Sequence, residues 1–172
     1  MKKFLFLSLV IATSFFFGFA FKKAISNKTK QPATMKKVTG IGGIFFKCEN
    51  PEKTRKWYAD NLGLVTNEYG SLFESRDTEK PEQKNYLQWS PFKSDTKYFS
   101  PSEKEFMINY RVENLKALVE ELKKSGVTIC DEIEEFDYGK FVHIMDPDGI
   151  KIELWEPVDA VFTADNKNDT TK

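Results

Sequence analysis

The chain has 172 residues, room for one domain with its own core and too little for two. Apolar residues make up 40% and charged residues 30%, with 9 Gly and 7 Pro, a composition that excludes a disordered, collagen-like or multi-pass membrane protein. The formal charge of zero hides an asymmetry: residues 1–35 carry six Lys and no acid, which leaves 20 basic and 26 acidic side chains beyond them, and an acidic body disfavours nucleic acid as a partner.

The opening residues read as a targeting device. Lys2 and Lys3 precede an uncharged run over 4–21 that holds seven of the chain's 16 Phe, and Lys22 and Lys23 close it. At 18 residues the run stands between a signal-peptide core and the ~20 residues that cross a bilayer. Gly18-Phe19-Ala20 supplies small residues where a signal peptidase inspects, while the Phe-rich core serves equally as an uncleaved anchor. Residues 1–23 are therefore a signal peptide or an N-terminal membrane anchor, and the expected location is a bacterial-type periplasm or the inner membrane, facing outward. Residues 24–35 are a polar linker, 36–158 the folded domain, and 159–172 a polar tail expected to be flexible.

From Lys36 onward the same elements come twice. Residues 42–48 alternate as a strand, and Asn50-Pro51-Glu52 then opens a helix with a cap, a Pro in the first turn and an acid behind it. This helix reaches Asn61 and stops at Gly63. Strand candidates follow over 64–68, 71–76 and 84–90. In the second half, 106–112 is strand-like, Asn114 can cap, Leu115, Leu118, Val119 and Leu122 share one helical face, and Gly126 ends the helix. Strands over 127–135, 139–146 and 150–156 complete it. Strand, helix and three strands, given twice, predict an α+β domain whose paired βαβββ modules form a cupped mixed sheet. Cys48 and Cys130 are too few for a disulfide framework and too widely spaced for a metal-binding pair; two buried thiols or one bridge are both open.

The final hairpin can be read to its register. Asp146-Pro147-Asp148-Gly149 puts Pro where a type I turn wants φ near −65° and Gly where a left-handed residue is needed, which favours a three-residue loop with a Gly bulge. Met145 then faces Lys151, His143 faces Glu153 and Phe141 faces Trp155. One side of the hairpin carries Val142, Ile144, Ile152 and Leu154, fit to pack under a helix. The same alternation sends Ile108, Tyr110, Val112, Ile44, Phe46 and Cys48 to that core side. The opposite, cupped side collects Phe45, Lys47, Gln88, Asn109, Arg111, His143, Glu153 and Trp155, aromatics with a few convergent polar groups, as a small-molecule site requires.

The run Ile41-Gly-Gly-Ile-Phe-Phe-Lys-Cys-Glu-Asn-Pro-Glu52, the Trp57-Tyr58 to Leu62-Gly63-Leu64 helix end, and above all 138–157 with its Asp-Pro-Asp-Gly turn followed by Ile-Glu-Leu, resemble the vicinal oxygen chelate superfamily of glyoxalases, bleomycin-resistance proteins and extradiol dioxygenases. The resemblance covers residues 38–158. It implies paired modules in a cupped sheet and a homodimer. It also implies a metal site drawing on four positions, which here match Gly43, Gln88 (or Leu87), Met107 and Glu153. Of these only Glu153 is a good ligand, because Gly43 has no side chain and Met107 offers a soft thioether. With one His in the chain, no cofactor is expected; a divalent metal, if bound, would use a displaced set of Glu153, His143 and Gln88.

Glu153 reads as a general base or as a carboxylate paired with Arg111 or His143, and His143 as its acid/base partner or as a cross-strand pair. Phe45, Gln88, Asn109, Arg111, Tyr138 and Trp155 are the candidate ligand-binding residues, with Arg111 and Lys47 suited to an anion. Trp57 and Tyr58 are expected in the helix-to-sheet core, and the acidic run 131–135 on a solvated face. No phosphate-cradling loop and no Gly-x-Ser-x-Gly elbow occurs. The reading is an exported domain that binds a small, anionic or carbonyl-bearing molecule in a metal-poor cup, with or without metal-free proton transfer. Metal-dependent lyase, isomerase or dioxygenase chemistry at the displaced site is the first alternative, and a non-catalytic envelope interaction domain the second.

Overall fold

The computed structural model describes residues 37–165 and 170–171; the targeting segment and linker expected over 1–35 lie outside them. In chain order the elements are β1 (Val38–Cys48), α1 (Pro51–Leu62), β2 (Ser71–Arg76), β3 (Lys84–Lys93), β4 (Phe106–Val112), α2 (Leu115–Lys124), β5 (Thr128–Ile129), β6 (Glu134–Phe136), β7 (Gly139–Met145), β8 (Lys151–Pro157), α3 (Asp159–Asp165) and β9 (Thr170–Thr171). These nine strands form one sheet in the order β5-β7-β8-β4-β1-β3-β2-β9, with β6 also pairing with β7. The duplication is visible in the pairing. β1 runs parallel to β3 as β4 does to β8, β2 and β7 flank each half antiparallel, and β1 meets β4 antiparallel at the junction. No helix among the described residues is long and apolar enough to cross a membrane.

The helices α1 and α2 start where their caps predict. The Asn50 side chain accepts from Lys53 N at 2.9 Å, and Gly63 closes α1 by donating to Ala59 O. Asn114 caps α2 in the left-handed conformation that Asn tolerates better than other side chains, while Glu156 on β8 accepts from Leu115 N at 2.6 Å and sets a negative charge on the positive end of the helix. In the final turn Gly149 has φ 74°, and the Asp146 carboxylate accepts from Asp148 N and Ile150 N. The resulting register pairs Met145 with Lys151, His143 with Glu153 and Phe141 with Trp155, as the turn chemistry requires.

The core lies between α2 and the second half of the sheet: Val112, Leu115, Leu118, Val119, Val142, Ile144 and Leu154, with Tyr110, Leu122 and Ile152 at its edge. The first half is thinner. α1 buries no residue fully, and Trp57, expected in the core, is exposed; Tyr58 reaches the sheet, with its ring 4.6 Å from that of Trp89. With so small an apolar face above it, Ile44 stays partly exposed instead of entering the core.

Three further expectations differ from the structure. The strand over 64–68 is reduced to one bridge, Thr66 to Ser71, because Asn67 and Gly70 turn the chain back at once. The strand over 127–135 is split into β5 and β6, and the break turns the Asp131 carboxylate onto β7. The tail from Asp159 forms α3 and, at Thr170–Thr171, pairs with the free edge of β2, with Thr171 bonded to Ser71 and to Val65 N. Cys48 and Cys130 are free thiols, both half-buried.

Leu118→Ala removes a fully buried side chain from the α2 core and is expected to cost about 2–4 kcal/mol, whereas Trp57→Ala on exposed α1 should cost less than about 1 kcal/mol. Urea denaturation of the two variants checks the asymmetry.

Candidate functional site

Five strands align one residue each in a single row across the sheet: Gln88, Gly43, Asn109, Glu153 and His143. Glu153 sits at the floor of a cavity of about 540 Å³ whose lining includes Phe45, Gln88, Asn109, Tyr138 and Trp155 from the expected set. Glu153 is only 3% exposed. Burial on that scale demands donors, and the structure supplies three. Asn109 Nδ2 donates to Oε1 at 2.5 Å, Tyr98 OH donates to Oε2, and His143 Nε2 lies 3.0 Å from Oε2.

The second imidazole nitrogen is also occupied. His143 Nδ1 lies 2.6 Å from Asp131 Oδ2, and Asp131 Oδ1 accepts from His143 N at 2.8 Å. Tyr98, Glu153, His143 and Asp131 thus form one chain of hydrogen bonds from the cup floor to a carboxylate that is 40% exposed. Burial works against the charge on His143, but the hydrogen bond and charge of Glu153, with that of Asp131, outweigh it and raise its pKa above the ordinary 6.5. Burial pushes the Tyr98 phenol strongly upward and Glu153 adds to the effect, so Tyr98 is the donor of its pair.

Neither Tyr98 nor Asp131 is singled out by sequence reasoning. Tyr98 belongs to the β3–β4 connection, outside any alternating pattern. It is held by stacking on Phe92, by Lys151 Nζ donating to its carbonyl at 2.8 Å, and by the wholly buried Phe99 beside it, which packs with Phe45 and Met107. The aromatic cluster Phe92, Tyr98 and Phe99 is the one signal that marks this loop in the sequence. Asp131 opens the acidic run whose carboxylates are exposed as expected, and the break between β5 and β6 nonetheless turns Asp131 onto His143. Phe162, from the tail, packs edge-on against Trp155 and lines the rim.

The two cations expected at the cup are elsewhere. The Arg111 guanidinium lies over the Trp155 ring at 5.1 Å, held there by Asp159, Asn85 and the Tyr86 carbonyl, and does not line the cavity. Lys47 faces Phe99 and pairs with Glu105 at 3.6 Å. Trp155 itself stacks on Phe141 and donates to Tyr138 O, while Tyr138 stacks on Phe136 at the mouth. Gly42 lies against this wall: a Cβ there would meet Asn109 Oδ1 and come within 2.7 Å of Trp155 Cε3.

The donor set does not fit the metal implied by the resemblance. A Cβ at Gly43 would stand 2.6 Å from Phe45 Cζ, so the Phe45 ring fills the space where a first-strand ligand would rise. Met107 is fully buried with Phe45 and Phe99, and the oxygens of Glu153 face N–H and O–H groups. Of the displaced set, His143 and Glu153 are together, but the Gln88 amide donates to Ser90 Oγ and Trp89 O three strands from Glu153. Among the described residues no group of three or more His, Cys, Asp or Glu could hold a metal ion.

The one His in the chain makes its titration easy to follow. Its NMR midpoint should lie above 6.5 and fall in Glu153→Gln, where burial is left with less to oppose it. Because the folded-state value is the raised one, this stabilisation is complete below about pH 6.5 and is lost as pH rises through the folded value. The urea midpoint should therefore decline over that window, and His143→Gln should flatten the decline.

Residues 40–154 match the family described as the glyoxalase/bleomycin resistance protein/dioxygenase superfamily. A search of the curated proteins finds no match. Among solved structures, methylmalonyl-CoA epimerase from Mycobacterium tuberculosis is similar at TM-score 0.51 and 19% identity, over 78% of this chain and 97% of that one. A variant of Streptomyces coelicolor methylmalonyl-CoA epimerase, in complex with 2-nitronate-propionyl-CoA, is similar at TM-score 0.51 and 17% identity, over 70% and 99%. At these identities the likeness is one of fold. The duplicated βαβββ sheet and the matched residues together show that the chain belongs to the glyoxalase/bleomycin resistance protein/dioxygenase superfamily.

Proposed function

We propose that the cup binds a small molecule with a flat or apolar body, anchored by a hydrogen bond to Glu153 and held without a metal. The observation that carries this reading is the buried Glu153 carboxylate at the floor of an aromatic-walled cavity of about 540 Å³. Phe141, stacked on Trp155, and Phe92, stacked on Tyr98, line the cavity and give it apolar aromatic walls suited to such a ligand. The lysine-flanked segment over 2–23 supports delivery of the domain across a membrane, so the ligand would be met outside the cytoplasm.

The hydrogen-bonded chain favours a second reading, metal-free proton transfer. A proton taken from a bound ligand by Glu153 would have a path through His143 toward Asp131 at the surface. That reading requires Glu153-dependent exchange of a carbon-bound ligand proton with D₂O, visible by mass spectrometry; binding without exchange leaves the first reading alone.

The first reading is tested by calorimetric titration of the full chain with 2-naphthamide, with and without EDTA. Binding should be indifferent to EDTA and weaken several-fold in Phe162→Ala, which opens the rim without touching the α2 core. Binding that EDTA abolishes, or that Phe162→Ala leaves unchanged, would place the ligand elsewhere or return a metal to the site.

A further inference from the structure

Resting on the binding reading above, we infer that the cup selects an organic cation bearing an N–H donor, a protonated amine or amidinium on an apolar body. The argument begins with charge. No Lys, Arg or His is among the described residues lining the cavity, and the charged residue that lines it is Glu153. The cations nearby are engaged behind its walls: Arg111 with Asp159, Lys151 with the Tyr98 carbonyl, and His143 between two carboxylates, Asp131 and Glu153. Asp131 and Glu153 flank that one imidazole, so carboxylates outnumber it two to one there, with the buried Lys151 the further cation close by.

Hydrogen bonding points the same way. A carboxylate has about four acceptor positions, and three of those on Glu153 are filled, two on Oε2 and one on Oε1. The remaining position asks the ligand for a donor. The floor has little to offer a ligand carbonyl or carboxylate in return, because its donor groups are already directed at protein acceptors. Tyr98 OH and Asn109 Nδ2 point to Glu153, Gln88 Nε2 to Ser90 Oγ and Trp89 O, Ser90 OH to Tyr69 O, and Trp155 Nε1 to Tyr138 O.

Aromatic faces complete the site. Ring faces carry negative potential; Trp155 and Tyr98 each already hold a protein cation, Arg111 at 5.1 Å and Lys151 at 5.4 Å, so of the two stacked pairs Phe92 and Phe141 are the lining rings left to attract a ligand cation. Burial raises the phenols of both Tyr98 and Tyr138, and the charges of Glu153 and Glu134 add to that rise. An anionic ligand, one of the expectations from sequence, relied on Arg111 and Lys47 reaching the cup, and neither does.

The test uses three probes of one shape and different charge, 2-naphthamidine, 2-naphthamide and 2-naphthoate, titrated into the full chain at neutral pH. The amidinium should bind about tenfold or more tightly than the amide, and the carboxylate more weakly than both. Glu153→Gln should erase the amidinium's advantage over the amide. The wild-type order stands on its own should that variant fold poorly. Equal or preferred binding of the carboxylate, or an amidinium preference that survives Glu153→Gln, overturns the inference and leaves the binding reading in place, whereas failure of all three probes to bind overturns both.

Discussion

A carboxylate buried as deeply as Glu153 is stable only if donors surround it, and that requirement accounts for several otherwise unrelated parts of the structure. The Asp146–Gly149 turn matters because its register sets His143 opposite Glu153. The pairing of β4 with β8 matters because it brings Asn109 alongside. The connection between β3 and β4 must fold back far enough to deliver Tyr98, and Phe99 pins it by filling a gap among Phe45, Phe92 and Met107. Once His143 is committed to Glu153, its other nitrogen needs a partner too, and the interruption between β5 and β6 provides Asp131.

The same requirement separates this cup from a chelating site. A metal ion asks for lone pairs directed at a common point. Here N–H and O–H groups converge on the carboxylate instead, and the Phe45 ring covers Gly43. The polar centre of the sheet is held by hydrogen bonds, in line with the rule that function belongs to the site and not to the scaffold.

Much of this architecture is legible in the sequence because it rests on local chemistry. The duplicated elements follow from Asn caps, helix-ending Gly and strand alternation, and the hairpin register follows from the one turn that Asp-Pro-Asp-Gly favours. Alternation alone therefore assigns Glu153, His143, Asn109, Gln88 and Trp155 to one face. What is not legible depends on where irregular segments travel. Tyr98 lies in a loop without periodicity, and Asp131 in an acidic stretch that resembles a solvated surface. Phe162 lies in a tail whose helix is held by packing on Tyr86, Tyr138 and Trp155 and by the Asp159–Arg111 pair. Alternation also puts Arg111 on the correct face, yet it says nothing about which way a long side chain turns, and Asp159, in that same tail, draws its guanidinium out of the cup.

The central claim, that protein donors and not a metal satisfy Glu153, is most directly tested by metal stoichiometry. The full chain and Glu153→Ala would be incubated with Zn²⁺, Ni²⁺, Mn²⁺, Co²⁺ and Fe²⁺, dialysed, and measured for bound metal and for thermal shift. The account predicts no stoichiometric metal and no metal-induced stabilisation that depends on Glu153. One tightly held ion per chain that disappears in Glu153→Ala would contradict it, since the carboxylate would then have to exchange its hydrogen bonds for a coordination sphere.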